Sequence, residues 1–227
     1  MDIPRAFEYI FKDPQWVSKL LITGVITLLA TVTTPFLIGL AGWAALLGYQ
    51  ISLIGNMRAG IMHPLPRWDD VSEYFTTGGP ALTGGIVYLL PLVVIGGCFA
   101  SIGFILGGDN GLFVNAIALC CMLPLVIAYS FFLIPMYGLA LGRFSENPSL
   151  GVFFQFSSLL NALRNNRPIV ISYVISSLIV AMIFGVINAI PCLGWLVGAA
   201  LLIPVNGGLA GQYIIQMMGG RAKRKTA

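Results

Sequence analysis

The chain has 227 residues, of which 58% are hydrophobic and only 9% charged, with 12 Lys and Arg against 8 Asp and Glu. Together with a mean hydropathy of +0.92, this excludes a soluble globule, in which about 25% of residues are charged. The apolar tracts leave no length for a large soluble domain, so a single membrane domain over 1–227 is expected.

The first sixteen residues, MDIPRAFEYIFKDPQW, mix acids and prolines into an apolar stretch and are not expected to be a cleavable leader. Ile3, Phe7, Ile10 and Phe11 recur at helical spacing while Arg5, Glu8 and Lys12 face elsewhere, which predicts a short helix lying in the headgroup plane. Asp13-Pro14 stops it and caps the next helix.

A bilayer core of about 30 Å needs roughly 20 apolar residues per helix. That ruler predicts six spans, at 17–34, 36–58, 80–106, 112–141, 168–190 and 193–218. The tract from Leu20 to Ile54 carries no charge yet is too long for one crossing, so it is broken at Thr33-Thr34-Pro35 into a tight hairpin, with a re-entrant first pair as the alternative.

Lys and Arg concentrate on the cytoplasmic side of short loops, which tests the count. With six spans, both termini and the loops at 59–79 and 142–167 share one side, and all 12 basic residues fall there. The opposite side receives the turn at Pro35, the GGDNG turn around Asp109 and the Ile190-Pro191-Cys192 turn, none of which holds a Lys or Arg. Merging the first two spans would place Arg5, Lys12 and Lys19 outside.

HPLPRWDDVSEYF, from His63 to Phe75, is then a cytoplasmic loop. Pro64 and Pro66 delay a helix, Trp68 is expected at headgroup level, and from Asp69 the acids suit a helix start with Val71, Tyr74 and Phe75 toward the membrane. Gly78-Gly79-Pro80 is expected to end that surface helix and open the third span. The second inner loop repeats the design, because Val152, Phe153, Phe156, Leu159, Leu160 and Leu163 recur at three- and four-residue spacing before Arg167-Pro168. The expected architecture is all-α: three transmembrane hairpins (17–58, 80–141, 168–218), each preceded by an interfacial amphipathic helix.

The string L-I-P-x-x-G-x-x-x-G occurs at Leu133–Gly142 and at Leu202–Gly211. Gly138 with Gly142 and Gly207 with Gly211 are expected to let helices approach closely, while Pro135 and Pro204 kink them. The same strings also suit a parallel-repeat transporter. No ionisable residue lies at mid-membrane, and the polar candidates there are Asn115 and Asn206, supported by Gln50, Asn188 and several threonines. Interhelical hydrogen bonding explains them without a substrate.

Nothing points to catalysis, a cofactor or a metal. His63 is the lone histidine, and its spacing to Asp69 and Asp70 matches no ligand pattern. The acids read as a solvated helix start. Cys98, Cys120, Cys121 and Cys192 form no C-x-x-C pair and read as buried thiols, with a bridge between Cys98 and Cys192 as the alternative. The basic tail RAKRK, 221–225, is short and without aromatics, so anionic lipid headgroups rather than nucleic acid are its expected partner.

FEYIFKDPQW (7–16), Gly48-Tyr49, and LPRWDD (65–70) with Tyr74-Phe75 and Gly78 occur in this order. In this the chain resembles an uncharacterised family of multi-pass prokaryotic membrane proteins, domain of unknown function number 4013. The resemblance implies an inner-membrane location and brings no reaction or catalytic residue. The expected function is a non-catalytic accessory or scaffold protein with both termini in the cytoplasm. It would dock another membrane protein or complex through His63, Arg67, Trp68, Asp69, Asp70 and Glu73, and hold a lipid or flat hydrophobic pigment between its glycine-rich helices. A small transporter or lipid permease is the alternative.

Overall fold

The computed structural model describes the backbone of residues 1–107 and 111–225 and the side chains of residues 1–101, 116 and 119–217. Asp109 and the side chains of Asn115 and of the basic tail therefore lie outside the described residues.

The chain is helical throughout, with no strand among the described residues. Helices α1 (Ile3–Phe11), α2 (Trp16–Thr33), α3 (Gly39–Arg58), α4 (Val71–Gly107) and α5 (Gly111–Phe144) are followed by two short pieces, α6 (Gly151–Phe154) and α7 (Phe156–Asn165), and then by α8 (Arg167–Asn188) and α9 (Leu193–Lys225). Five stretches, Trp16–Phe36, Val71–Ser101, Leu119–Phe144, Arg167–Asn188 and Leu193–Met217, are long and apolar enough to cross a membrane. The protein is an all-helical membrane protein.

The stretch outside that set is α3. It carries Tyr49, Gln50 and Asn56 because its surroundings are protein rather than lipid. Leu46, Tyr49, Leu53 and Ile54 are fully buried, and α2, α4, α5 and α9 all pack on it. Hydropathy measures fitness for lipid, and a helix enclosed by other helices has no need of it.

Between α2 and α3 the chain turns through a single 3₁₀ turn, Thr34–Phe36, and Leu37 takes a left-handed conformation at φ 63°. Trp43 Nε1 donates to Thr34 Oγ1 at 3.1 Å, and a methyl on Gly39 would overlap the Ala30 carbonyl oxygen, so α3 folds back directly along α2.

Three sequence expectations are refined or corrected. First, α1 packs its apolar face against α8 and α9 while Arg5, Glu8 and Lys12 stay exposed. Ala6 and Ile10 are fully buried, Phe7 meets Phe184 with ring centroids 6.5 Å apart, and Tyr9 Oη donates to the Pro204 carbonyl at 2.6 Å. Its apolar face is covered by protein, and only Phe11 remains half exposed.

Second, Gly78-Gly79-Pro80 breaks nothing, because α4 runs unbroken through it. Gly78 lies against α3 so closely that a methyl there would overlap the Ala44 carbonyl oxygen, and one on Gly48 would overlap that of Tyr74. This backbone contact holds the helical path. Pro80 removes one hydrogen bond, which costs less than opening several backbone groups against a packed neighbour.

Third, the amphipathic stretch after α5 is two helices instead of one, bent at Gln155 (φ −80°, ψ 52°). The bend seats Val152 and Phe153 and then Leu159 and Leu163 into the bundle.

Candidate functional site

The loop between α3 and α4 is bound into the bundle by its backbone. Asn56 Nδ2 donates to the Pro64 carbonyl at 2.9 Å and Lys19 Nζ to the Leu65 carbonyl at 2.7 Å, while Pro64, Leu65 and Pro66 are buried. Trp68 is half-buried against the bundle. Its ring stacks on Tyr49 at 4.7 Å and 8°, both rings meet Tyr74 edge-on, and its Nε1 donates to Thr23 Oγ1 at 3.1 Å. Tyr74, expected toward the membrane, is likewise buried and donates from its hydroxyl to the Arg67 carbonyl.

Lys19 is a residue whose role the sequence did not reveal. It is buried, and its ammonium lies 2.7 Å from Asp13 Oδ2, while Asp13 Oδ1 accepts from the Gln15 backbone at 2.8 Å. Burial raises the Asp13 pKa, but hydrogen bonds from Lys19 and Gln15 and the charges of Lys19 and His63 outweigh it and hold the carboxyl below its usual range. Six residues separate the pair, which matches no helical ion-pair spacing. The available signal was a lysine one turn inside an otherwise chargeless span.

With the loop so fixed, its polar face borders an open cleft of about 570 Å³. Arg67, Asp69, Asp70 and Glu73 line it together with Asn56 and Ser145. Asp70 Oδ1 accepts from the Glu73 backbone at 3.1 Å and so caps α4. Among the described residues Asp69, Asp70 and Glu73 form no ion pair. Near the cleft, Arg58 at the end of α3 pairs with Glu146 and bonds Ser145, which ties α3 to the chain leaving α5.

Four of the six expected loop residues thus share one cleft. Trp68 faces inward, and His63 is exposed and does not line it. The chemistry on offer is a set of solvated carboxylates beside one guanidinium, suited to binding cationic groups. Among the described residues, no three His, Cys, Asp or Glu side chains converge as a metal site would require.

The four motif glycines accept side chains rather than helix backbones. A methyl at Gly138 would come to 3.0 Å from Tyr173 Oη; at Gly142 it would overlap Ile214, and at Gly207 and Gly211 it would come to 2.6 Å from Leu53 Cδ2 and Met57 Sδ. The two copies meet where Tyr213 Oη donates to the Pro135 carbonyl at 3.3 Å. Asn206 Nδ2 donates to Leu202 of its own helix at 2.8 Å. Thr23, Thr27 and Thr31 likewise each bond the carbonyl four residues back, so these hydroxyls donate within their own helix, while Thr23 also accepts from Trp68 outside it. Cys98, Cys120, Cys121 and Cys192 are free and exposed, not buried and not bridged.

Residues 28–193, well over half of the chain, match the model of a family described as "Protein of unknown function (DUF4013)". No curated protein and no solved structure matches the chain significantly.

Proposed function

The chain belongs to the DUF4013 family, and from that premise we propose that it is a non-catalytic accessory or scaffold protein of a prokaryotic inner membrane that docks a partner at the cleft beside Arg67, Asp69, Asp70 and Glu73. In this reading α2, α3, α4, α5, α8 and α9 all cross, as three hairpins, with the cleft and both termini in the cytoplasm. With six crossings every Lys and Arg of the sequence falls on one side, which supports that orientation. The basic tail adds attraction to anionic headgroups, about 1 kcal/mol per charge.

The observation that carries the reading is the combination of three carboxylates that form no ion pair among the described residues with a loop whose backbone is held by Lys19 and Asn56 and whose Trp68 side chain bonds Thr23. A rigid, charged, open surface binds without first being ordered, and that favours recognition. The partner chemistry it fits is a Lys- or Arg-rich segment of another membrane protein or complex.

The test is mass spectrometry of the material that co-purifies with the full chain in mild detergent. A stoichiometric protein companion lost in Asp69→Ala/Asp70→Ala supports docking. Loss of an enzymatic activity in His63→Ala and Asp69→Ala, at unchanged abundance and with no companion, overturns it. A passage reaching Asn115 or Asn206 would favour the permease reading; Asn206 bonds within its own helix, and the side chain of Asn115 lies outside the described residues.

A further inference from the structure

Beside α2 and α9 runs a groove of about 370 Å³ whose walls are entirely apolar. Val17, Leu20 and Leu21 come from α2, Val197 and Leu201 from α9, and Phe11 from the end of α1. Leu20 and Leu201 are buried and form its floor. Next to it the two helices touch, since a methyl on Gly24 would lie 3.1 Å from Ala200 Cβ, so the groove has a closed back.

Both helices are apolar enough to cross a membrane, so the material in contact with the groove is supplied by the bilayer. The volume selects among bilayer components. At roughly 30 Å³ per group, the share of a liquid water that a methylene matches, it holds about a dozen methylenes. A transmembrane helix, about 10 Å across, does not enter it. One end is marked by the rings of Phe11 and Trp16, edge-to-face at 5.2 Å and 75°, and the neighbouring Lys12 is exposed and paired with Glu8 at 2.7 Å. A tryptophan beside charges at the start of a spanning helix sits at headgroup level.

We infer that this groove seats one acyl chain of a bilayer phospholipid, its ester end beside Trp16 and its methyl end toward Val197, held as a structural ligand joining α1, α2 and α9. The inference rests on the membrane placement of α2 and α9 and is independent of docking at the acidic cleft. It also moves the lipid site away from the motif glycines, whose faces are filled by the protein's own side chains.

The test is native mass spectrometry of the full-length chain in mild detergent, resupplied with dipalmitoyl phosphatidylethanolamine. One phospholipid per chain is expected to survive detergent removal. Val197→Trp, and independently Leu21→Trp, fill the groove and are expected to lower retention about tenfold, the equivalent of about 1.4 kcal/mol. Val186→Trp, on the exposed face of α8, and Asp69→Ala/Asp70→Ala are expected to leave it unchanged. No retained lipid in the unsubstituted chain, or equal retention in Val197→Trp and Val186→Trp, overturns the inference, as does loss of a protein companion from the groove variants with lipid unchanged.

Discussion

At the scale of single residues, Lys19 and Trp68 hold the inner loop, and each leads to a measurement. Removing one partner of a buried ion pair strands the other, which typically costs about 3 to 5 kcal/mol. Lys19→Met is therefore expected to lower the thermal midpoint sharply and to free the loop for protease cleavage, and adding Asp13→Asn is expected to recover most of the loss. Asp13 also sets a pH dependence. Its folded pKa is depressed, so its contribution to stability is complete above the unfolded carboxyl value near 4 and is lost as pH falls through the lower folded value. Unfolding followed between neutral and strongly acidic pH is expected to lose this contribution only at the acidic end, and Asp13→Asn is expected to flatten that portion. For Trp68, replacement by Phe keeps the stack on Tyr49 and removes the donor to Thr23, an expected cost of about 1 kcal/mol, whereas Ala removes both and is expected to cost about 3 to 5 kcal/mol. Neither role was legible in the sequence. Charge counting assigned Lys19 to the basic side, but the acceptors that bury it, Asp13 and Leu65, come from turns whose path no periodicity encodes. The expectation for Trp68 rests on the average preference of its type, whereas the aromatic partner it stacks on stands nineteen positions away.

At the scale of helices, glycines of similar appearance in the sequence separate into kinds once their neighbours are known. Gly48 and Gly78 face backbone, which cannot yield, so Gly78→Ala is expected to push α3 and α4 apart and abolish accumulation of folded protein. Gly142 faces the side chain of Ile214, whose Cδ1 and Cγ1 would overlap an added methyl; Gly142→Ala is expected to be destabilising and to be partly rescued by Ile214→Ala, which removes both atoms. Gly97 meets nothing within 4 Å, and Gly97→Ala is expected to be neutral or stabilising by up to about 1 kcal/mol through helix propensity. Melting temperatures in one detergent check the series, and a Gly78→Ala protein as stable as the unsubstituted chain would refute the assigned contact. The long apolar helices themselves were legible, with boundaries close to those found for 17–34, 168–190 and 193–218. Length in lipid and Pro or Gly punctuation dictate them locally. The continuity of α4 was not legible, because Gly-Gly-Pro signals a break only where water is ready to take up the freed backbone groups, and at Gly78 the neighbour is α3 instead.

At the scale of the whole molecule, the number of crossings decides the rest, and it depends on α3, whose polar residues suit a protein-lined position. Cysteine scanning resolves it. With the native cysteines replaced, a thiol at position 63 is expected to react only from the cytoplasmic side and one at position 36 only from the opposite side. Reaction of both from the same side would leave α2 and α3 as a re-entrant pair and remove the basis of the proposed orientation. The share of each helix covered by the others also differs widely. In the best spanning window of α4, and likewise of α5, 11% of residues are buried, against 61% in α9. Since α9 contacts α1, α2, α3, α5 and α8, the packing of five segments depends on the one that leaves the ribosome after all of them. During synthesis those segments wait in the bilayer with their mating faces against lipid, open to quality-control proteases or to stray helices. The interval before α9 arrives is therefore when this protein is expected to be most open to loss, and a slow codon run within α9 would lengthen that interval without changing a single residue.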